Sequence, residues 1–246
     1  MIRMRRSPLL PAAVLCALAL LCVLLCAPVR PALAAEPFAS AGEAGQWIMY
    51  YYKSPEPERL SQALAVLAES RDISEDGNKL IVSFIGAALA RAPRAQEGFY
   101  KDVAAAPRLR FFALPCFWFM ADDAGKKLLE RARKEWTGQG EAELAAQLLA
   151  VAPPDLLGGD IESLLHLDHL WSMFFATGDA EPVLKIASAM PLMGNENVRL
   201  HLIGQAASMS VAANARTHPR VREIVEQAAE GAEEPLKSKL RAALLP

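Results

Sequence analysis

The sequence predicts an all-α protein, and three observations predict it. After residue 40, apolar residues recur every three to four positions, the spacing that puts them on one face of a helix. Pro57, Pro93, Pro107, Pro182, Pro219 and Pro235 each stand just before or within the first turn of such a run, where a missing N–H costs little. No stretch alternates polar and apolar residues as a half-buried strand does. The predicted arrangement is an irregular stack of antiparallel helix hairpins, a repeat-like α-α superhelix, with a closed helical bundle as the alternative. The recurrence is weak, because the hairpins share little beyond a helix-opening proline, and the residue signatures of the better-known repeats do not occur.

The N-terminus reads as a leader. Arg3, Arg5 and Arg6 precede an uncharged run from Ser7 to Val29, and Ala32-Leu33-Ala34 supplies the small residues of a cleavage site. A positive start, an apolar middle and an A-x-A end describe a secretory signal peptide over residues 1–34, cleaved after Ala34 or Ala35. The competing reading is an uncleaved membrane anchor, since the run approaches the roughly 20 residues that span a bilayer. The rest, residues 35–246, reads as a single all-α domain. Removing the leader removes Arg3, Arg5, Arg6 and Arg30 and no acid, so the whole chain's 26 basic residues fall to 22 against 28 acidic ones, a formal charge of −6. Such a balance argues against nucleic acid as a partner, and a membrane enters only if the leader is retained. Three of the four cysteines lie in the leader, so Cys116 has no disulfide partner within the domain and reads as a small buried hydrophobe among aromatic neighbours.

Within the domain, Glu36 to Gly45 is small and polar and is expected to be loose. Gln46 to Lys53 is expected to be helical, with Trp47, Tyr50 and Tyr51 on one face. Leu60, Ala63, Leu64 and Leu67 mark an amphipathic helix over 58–71, followed by a turn at Ser74–Asn78. Lys79 to Ala92 is apolar nearly all round, so a buried helix is expected despite its β-branched opening. Residues 93–106 read as a short helix or turn region anchored by Phe99 and Tyr100. Leu109 to Ala121 is the most apolar stretch of the domain and predicts a central helix, kinked near Phe111 and Phe112 by Pro115. Asp122 or Asp123 caps the next helix, which runs to about Trp136, and Glu141 to Ala152 forms another that stops at Pro153-Pro154.

A hairpin over 161–190 follows. Leu164, Leu167, Leu170, Trp171, Phe174 and Phe175 share one arc of its first helix, while Glu162, His166 and His169 fall on the opposite, solvent-facing stripe. Gly178 is expected to end that helix in the left-handed conformation, and Asp179 to cap the next, whose apolar face is Val183, Ile186, Ala187 and Met190. A long helix from Asn195, one opened by Pro219 and one opened by Pro235 complete the chain. Arg216, His218, Arg220 and Arg222 read as a solvated helix start.

Leu167-Asp168-His169-Leu170-Trp171, with Phe174-Phe175-Ala176-Thr177-Gly178-Asp179, resembles a stretch recurring in a family of exported bacterial helical proteins of unknown function. Trp47, Tyr51-Tyr52, Pro55 and Pro57 resemble the start of that family's pattern, and Ser83-Phe84-Ile85 through Ala90-Arg91-Ala92-Pro93 its middle. The resemblance implies a helical fold and export. It implies no activity, cofactor or catalytic residue, so Asp168, Trp171, Phe174, Phe175, Gly178 and Asp179 are expected to be structural.

The spacings that reactions require are absent: no H-E-x-x-H, no phosphate-binding Gly-Lys loop, no G-x-S-x-G turn and no C-x-x-C. Glu162, His166 and His169 are the weak candidates for a metal site, since a helix projects all three in one direction. Asp168 is expected to pair with an arginine or a free backbone N–H. With no catalytic motif and no cofactor implied, the expectation leans away from an enzyme. It favours an exported helical scaffold or interaction module binding a protein of the cell envelope. The alternative is a small-molecule- or metal-binding envelope protein, an enzyme included, with its site near Glu162, His166 and His169 or the aromatic clusters.

Overall fold

Periodic apolar spacing from residue 41 onward winds the chain into helices. The computed structural model describes residues 36–70, 74–136, 138 and 140–245; the leader lies outside the described residues. Twelve α-helices and no strand occur among the described residues. The first seven are α1 (Ala41–Tyr50), α2 (Leu60–Ala68), α3 (Glu75–Arg91), α4 (Pro93–Ala105), α5 (Pro107–Phe119), α6 (Asp123–Glu135) and α7 (Glu141–Ala150). The others are α8 (Leu164–Thr177), α9 (Ala180–Ser188), α10 (Val198–Thr217), α11 (Pro219–Gly231) and α12 (Leu236–Ala243). Short 3-10 turns cover Tyr51–Lys53, Pro57–Arg59 and Met190–Leu192. No helix among the described residues is long and apolar enough to cross a membrane.

The helix starts follow local chemistry. Ser40, Ser74, Asp122, Ser163 and Asn197 each accept a backbone N–H from the first turn that follows them. Helices α4, α5 and α11 lack such a side chain and open on proline instead. These caps move two expected boundaries. Ser40 starts α1 at Ala41, inside the stretch expected to be loose. Ser74 starts α3 at Glu75, so the expected turn is a first helical turn, with Glu75 and Asp76 placed favourably at its positive end. Residues 93–105 form a full helix that buries Phe99, Tyr100 and Val103. Pro115 lies within α5 without ending it, and the buried Cys116 thiol donates to the Phe112 carbonyl at 3.1 Å.

Two apolar cores result. The first gathers Phe84, Leu89, Tyr100, Leu114, Phe117 and Trp136 between α2 and α7. The second gathers Leu170, Phe174, Ile186, Ile203, Val221 and Leu240 between α8 and α12. Helix α3 packs on α8 more extensively than any other two helices pack, although they lie far apart in the chain. Sequence neighbours also pair, α6 on α7 and α11 on α12. Phe175 on α8 touches both cores. Helix α3 approaches α5 closely because Gly86 has no side chain: a Cβ there would stand 2.6 Å from Phe119 Cβ and 2.7 Å from the Cys116 carbonyl.

An aromatic joint closes the junction of α8 with the C-terminal helices. His218, fully buried between α10 and α11, has ring centroids of Tyr50, Phe175 and Tyr52 at 5.0, 5.3 and 5.9 Å. Its Nδ1 meets the Tyr52 hydroxyl at 3.3 Å. The expected solvated helix start is therefore corrected at His218, whose imidazole the aromatic residues cover. Arg220 and Arg222 stay at the surface, paired with Glu223 and Glu226.

Candidate functional site

The hairpin corner organises the site. Helix α8 ends at Gly178, whose φ of +71° is left-handed and whose N–H reaches the Phe174 carbonyl at 2.7 Å. The Thr177 hydroxyl donates to the Met173 carbonyl and accepts the Asp179 N–H, tightening the turn. Asp179 occupies the capping position of α9, but its carboxylate does not cap. It turns outward to form an ion pair with Arg91 at the end of α3. The expected cap is corrected here, because a guanidinium competes better for a carboxylate than one backbone N–H does.

Beside this ion pair lies a cavity of about 940 Å³, within the size range of ligand pockets. Three separated stretches of sequence line it. The first gives Tyr51, Pro55 and Pro57, the second Arg91, Ala92 and Pro93, the third Ala176, Thr177 and Asp179. Helix α4 supplies the fourth wall with Arg94, Gly98, Phe99 and Asp102. The lining is mostly apolar, with charge at its edges. Asp102 accepts the Ser61 hydroxyl at 2.6 Å, tying α4 to α2. Tyr51 is only 3% exposed yet faces the cavity. Burial, aided by the charges of Glu58 and Glu56, pushes its phenol up to about 12, so it is a permanent O–H donor at neutral pH. A second cavity, about 490 Å³, adjoins the first, sharing Arg91, Thr177 and Asp179. The Arg91–Asp179 pair is thus part of the wall common to both.

The residues singled out for metal binding are not brought together. Glu162 is exposed. The His166 Nε2–H donates to the Leu156 carbonyl at 2.9 Å, holding the 153–160 loop against α8. His169 is not on a solvent stripe: it is 9% exposed, packed on Phe119, with Nδ1 3.0 Å from Ser83 Oγ. The reason is α3, which covers that side of α8. Among the described residues no group of three His, Cys, Asp or Glu side chains is placed to hold a metal ion.

The Ser83–His169 contact, at the edge of the second cavity, pairs a hydroxyl with an imidazole, so its polarity matters. Ser83 Oγ already donates to the Leu80 carbonyl at 2.9 Å. With that proton on Leu80 O, the imidazole donates to the serine; the Ser83 hydroxyl thus has two acceptors within reach, the Leu80 carbonyl and His169 Nδ1. Burial, with smaller contributions from His166 and Lys79, also holds the His169 pKa down.

Asp168 departs from its expectation as well. Its carboxylate stands at the surface with neither an arginine nor a backbone N–H as partner among the described residues; partial burial and the nearby Asp76 charge raise its pKa. Trp171 and Phe174 are buried as expected, at 6% and 0% exposure, Phe175 is half-buried, and Leu164, expected on the apolar arc, is half exposed at the first turn of α8.

Arg94, Asp102 and Ser61 carry no signal by which sequence alone marks them as cavity residues, because the walls they belong to meet only in three dimensions. A row of exposed apolar side chains, Val198, Leu202 and Met209, lies on α10. Compared with known protein families, characterised proteins and solved structures, the chain matches none.

Proposed function

We propose that this protein is a non-enzymatic helical binding module whose cavity between α2, α3, α4 and the α8–α9 corner receives a polypeptide segment in extended form. The observation that carries the reading is the convergence of three distant sequence stretches on one largely apolar cavity with polar groups at its edges. Apolar walls take side chains, while Tyr51 and the charged edges offer hydrogen bonds to a peptide backbone.

We also propose that the protein works outside the cytoplasm, after loss of residues 1–34, as the leader's charge, apolar run and Ala-Leu-Ala site support. The resemblance to exported helical proteins points to the same compartment. N-terminal sequencing of the protein recovered from the cell envelope is expected to begin at Ala35 or Glu36; a start at Met1 rejects export with cleavage.

The binding reading is tested by photo-crosslinking in cells. A benzophenone side chain at Ala95, on the cavity wall, is expected to capture a polypeptide. The same group at the exposed Glu143 of α7 is expected to capture nothing in common with it. Adducts that are not peptides, or identical adducts at both positions, reject the proposal.

A further inference from the structure

The charges at the edge of the cavity are sorted by sign along α4. Arg94, Gly98 and Asp102 are spaced four residues apart, so they stand above one another on the helix face that lines the cavity. At 1.5 Å per residue, Arg94 and Asp102 are separated by about 12 Å of helix. At the Arg94 end, Arg91 is neutralised by Asp179, and Arg94 itself has no acidic partner among the described residues. At the other end, the Ser61 hydroxyl ties Asp102 to the start of α2, where Glu58 also lines the cavity. Neither acid has a cationic partner among the described residues. Tyr51 lines the same cavity as Glu58.

Alanines 88, 92, 95 and 176, with Phe99, fill the space between. One guanidinium and two carboxylates, all exposed and without ion-pair partners among the described residues, thus stand at the edge of an apolar floor. The largely buried Tyr51, which also lines the cavity, adds a hydroxyl donor.

We infer that the occupant is a short peptide with both chain ends free, its carboxylate at Arg94 and its ammonium between Glu58 and Asp102. This rests on the polypeptide reading above and narrows it. An extended chain advances roughly 3.3–3.6 Å per residue, so about 12 Å corresponds to three or four residues. Small apolar side chains match the alanine-rich floor, and a peptide carbonyl can accept from the Tyr51 hydroxyl. A monocarboxylic amphiphile would leave Glu58 and Asp102 unanswered. An internal protein segment would leave all three charges unanswered.

The test uses the peptide Ala-Leu-Ala-Leu in four forms: free, N-acetylated, C-amidated and blocked at both ends. Affinity is measured by calorimetry on the purified chain. The free form is expected to bind tighter than either singly blocked form by about tenfold, the worth of one charge-assisted hydrogen bond. Arg94→Gln is expected to erase the penalty of amidation and leave that of acetylation, and Glu58→Gln with Asp102→Asn to do the converse. Ala95→Trp, which fills the cavity, should abolish binding of all forms.

Equal affinity for all four forms, lost in Ala95→Trp, overturns the inference and leaves the polypeptide reading standing. A penalty from amidation alone points to the C-terminal tail of a protein and also overturns it. Failure of every form to bind overturns both readings.

Discussion

At the level of single side chains, buried imidazoles and a buried thiol give measurable expectations. His218 and His169 both have pKa values held down, in each case chiefly by burial, with Lys53 adding to it at His218 and His166 and Lys79 at His169. Unfolded, each imidazole takes up its proton near the ordinary value of about 6.5; folded, it resists until a lower pH. Their contribution to stability is therefore complete above that ordinary value and is lost as pH falls through the depressed folded values. Thermal melting at pH 8 and pH 5.5 should show a drop at the lower pH, smaller in His218→Phe than in the wild type. At Cys116, burial pushes the thiol pKa up, so little thiolate forms. Ellman's reagent is expected to leave it unmodified in the native protein and to modify it once guanidinium unfolds the chain. Periodicity tells which of these residues lie inside more readily than it tells what they touch. Cys116 reads as buried from its aromatic neighbours. His169 does not, because its cover comes from Ser83 and Phe119 on helices whose placement the local pattern leaves undetermined.

At the level of helices, corners and crossings decide. Gly178→Ala forces an L side chain into φ +71° and brings its Cβ to 3.3 Å from the Tyr52 ring. A cost of about 1–2 kcal/mol is expected in urea unfolding, with an unchanged m-value. Gly86→Ala meets backbone and Cβ atoms of α5 below 3 Å, so α3 and α5 must separate; about 1–3 kcal/mol is expected. The α8–α9 corner is largely legible in the sequence. Gly178 ends the first helix, and Val183, Ile186, Ala187 and Met190 are all buried as their spacing requires. What the spacing does not contain is pairing across the fold. Ser61 with Asp102, Ser83 with His169 and Arg91 with Asp179 join residues 41, 86 and 88 positions apart. The cavity is built from those meetings, so its walls are visible in the sequence one at a time and their enclosure is not.

For the molecule as a whole, the question is whether two cores unfold as one. Trp136 reports on the first and Trp171 on the second, and the broad α3–α8 contact couples them. Variants retaining only one of these tryptophans, the others replaced by phenylalanine, are expected to give coincident fluorescence transitions in urea. Phe175→Ala, which removes the side chain touching both cores, should destabilise the protein by roughly 3 kcal/mol. Separated transitions in that variant would identify Phe175 as the source of the coupling.

The hollow beside Arg91 belongs to no single segment. Its sides are contributed by residues 51 to 61, 88 to 102 and 176 to 179, so it exists only when these separated stretches have found each other. Any molecule that settles there holds these separated stretches together and must raise the melting temperature of the domain. Occupancy of the site and completion of the fold are, for this chain, two readings of one equilibrium.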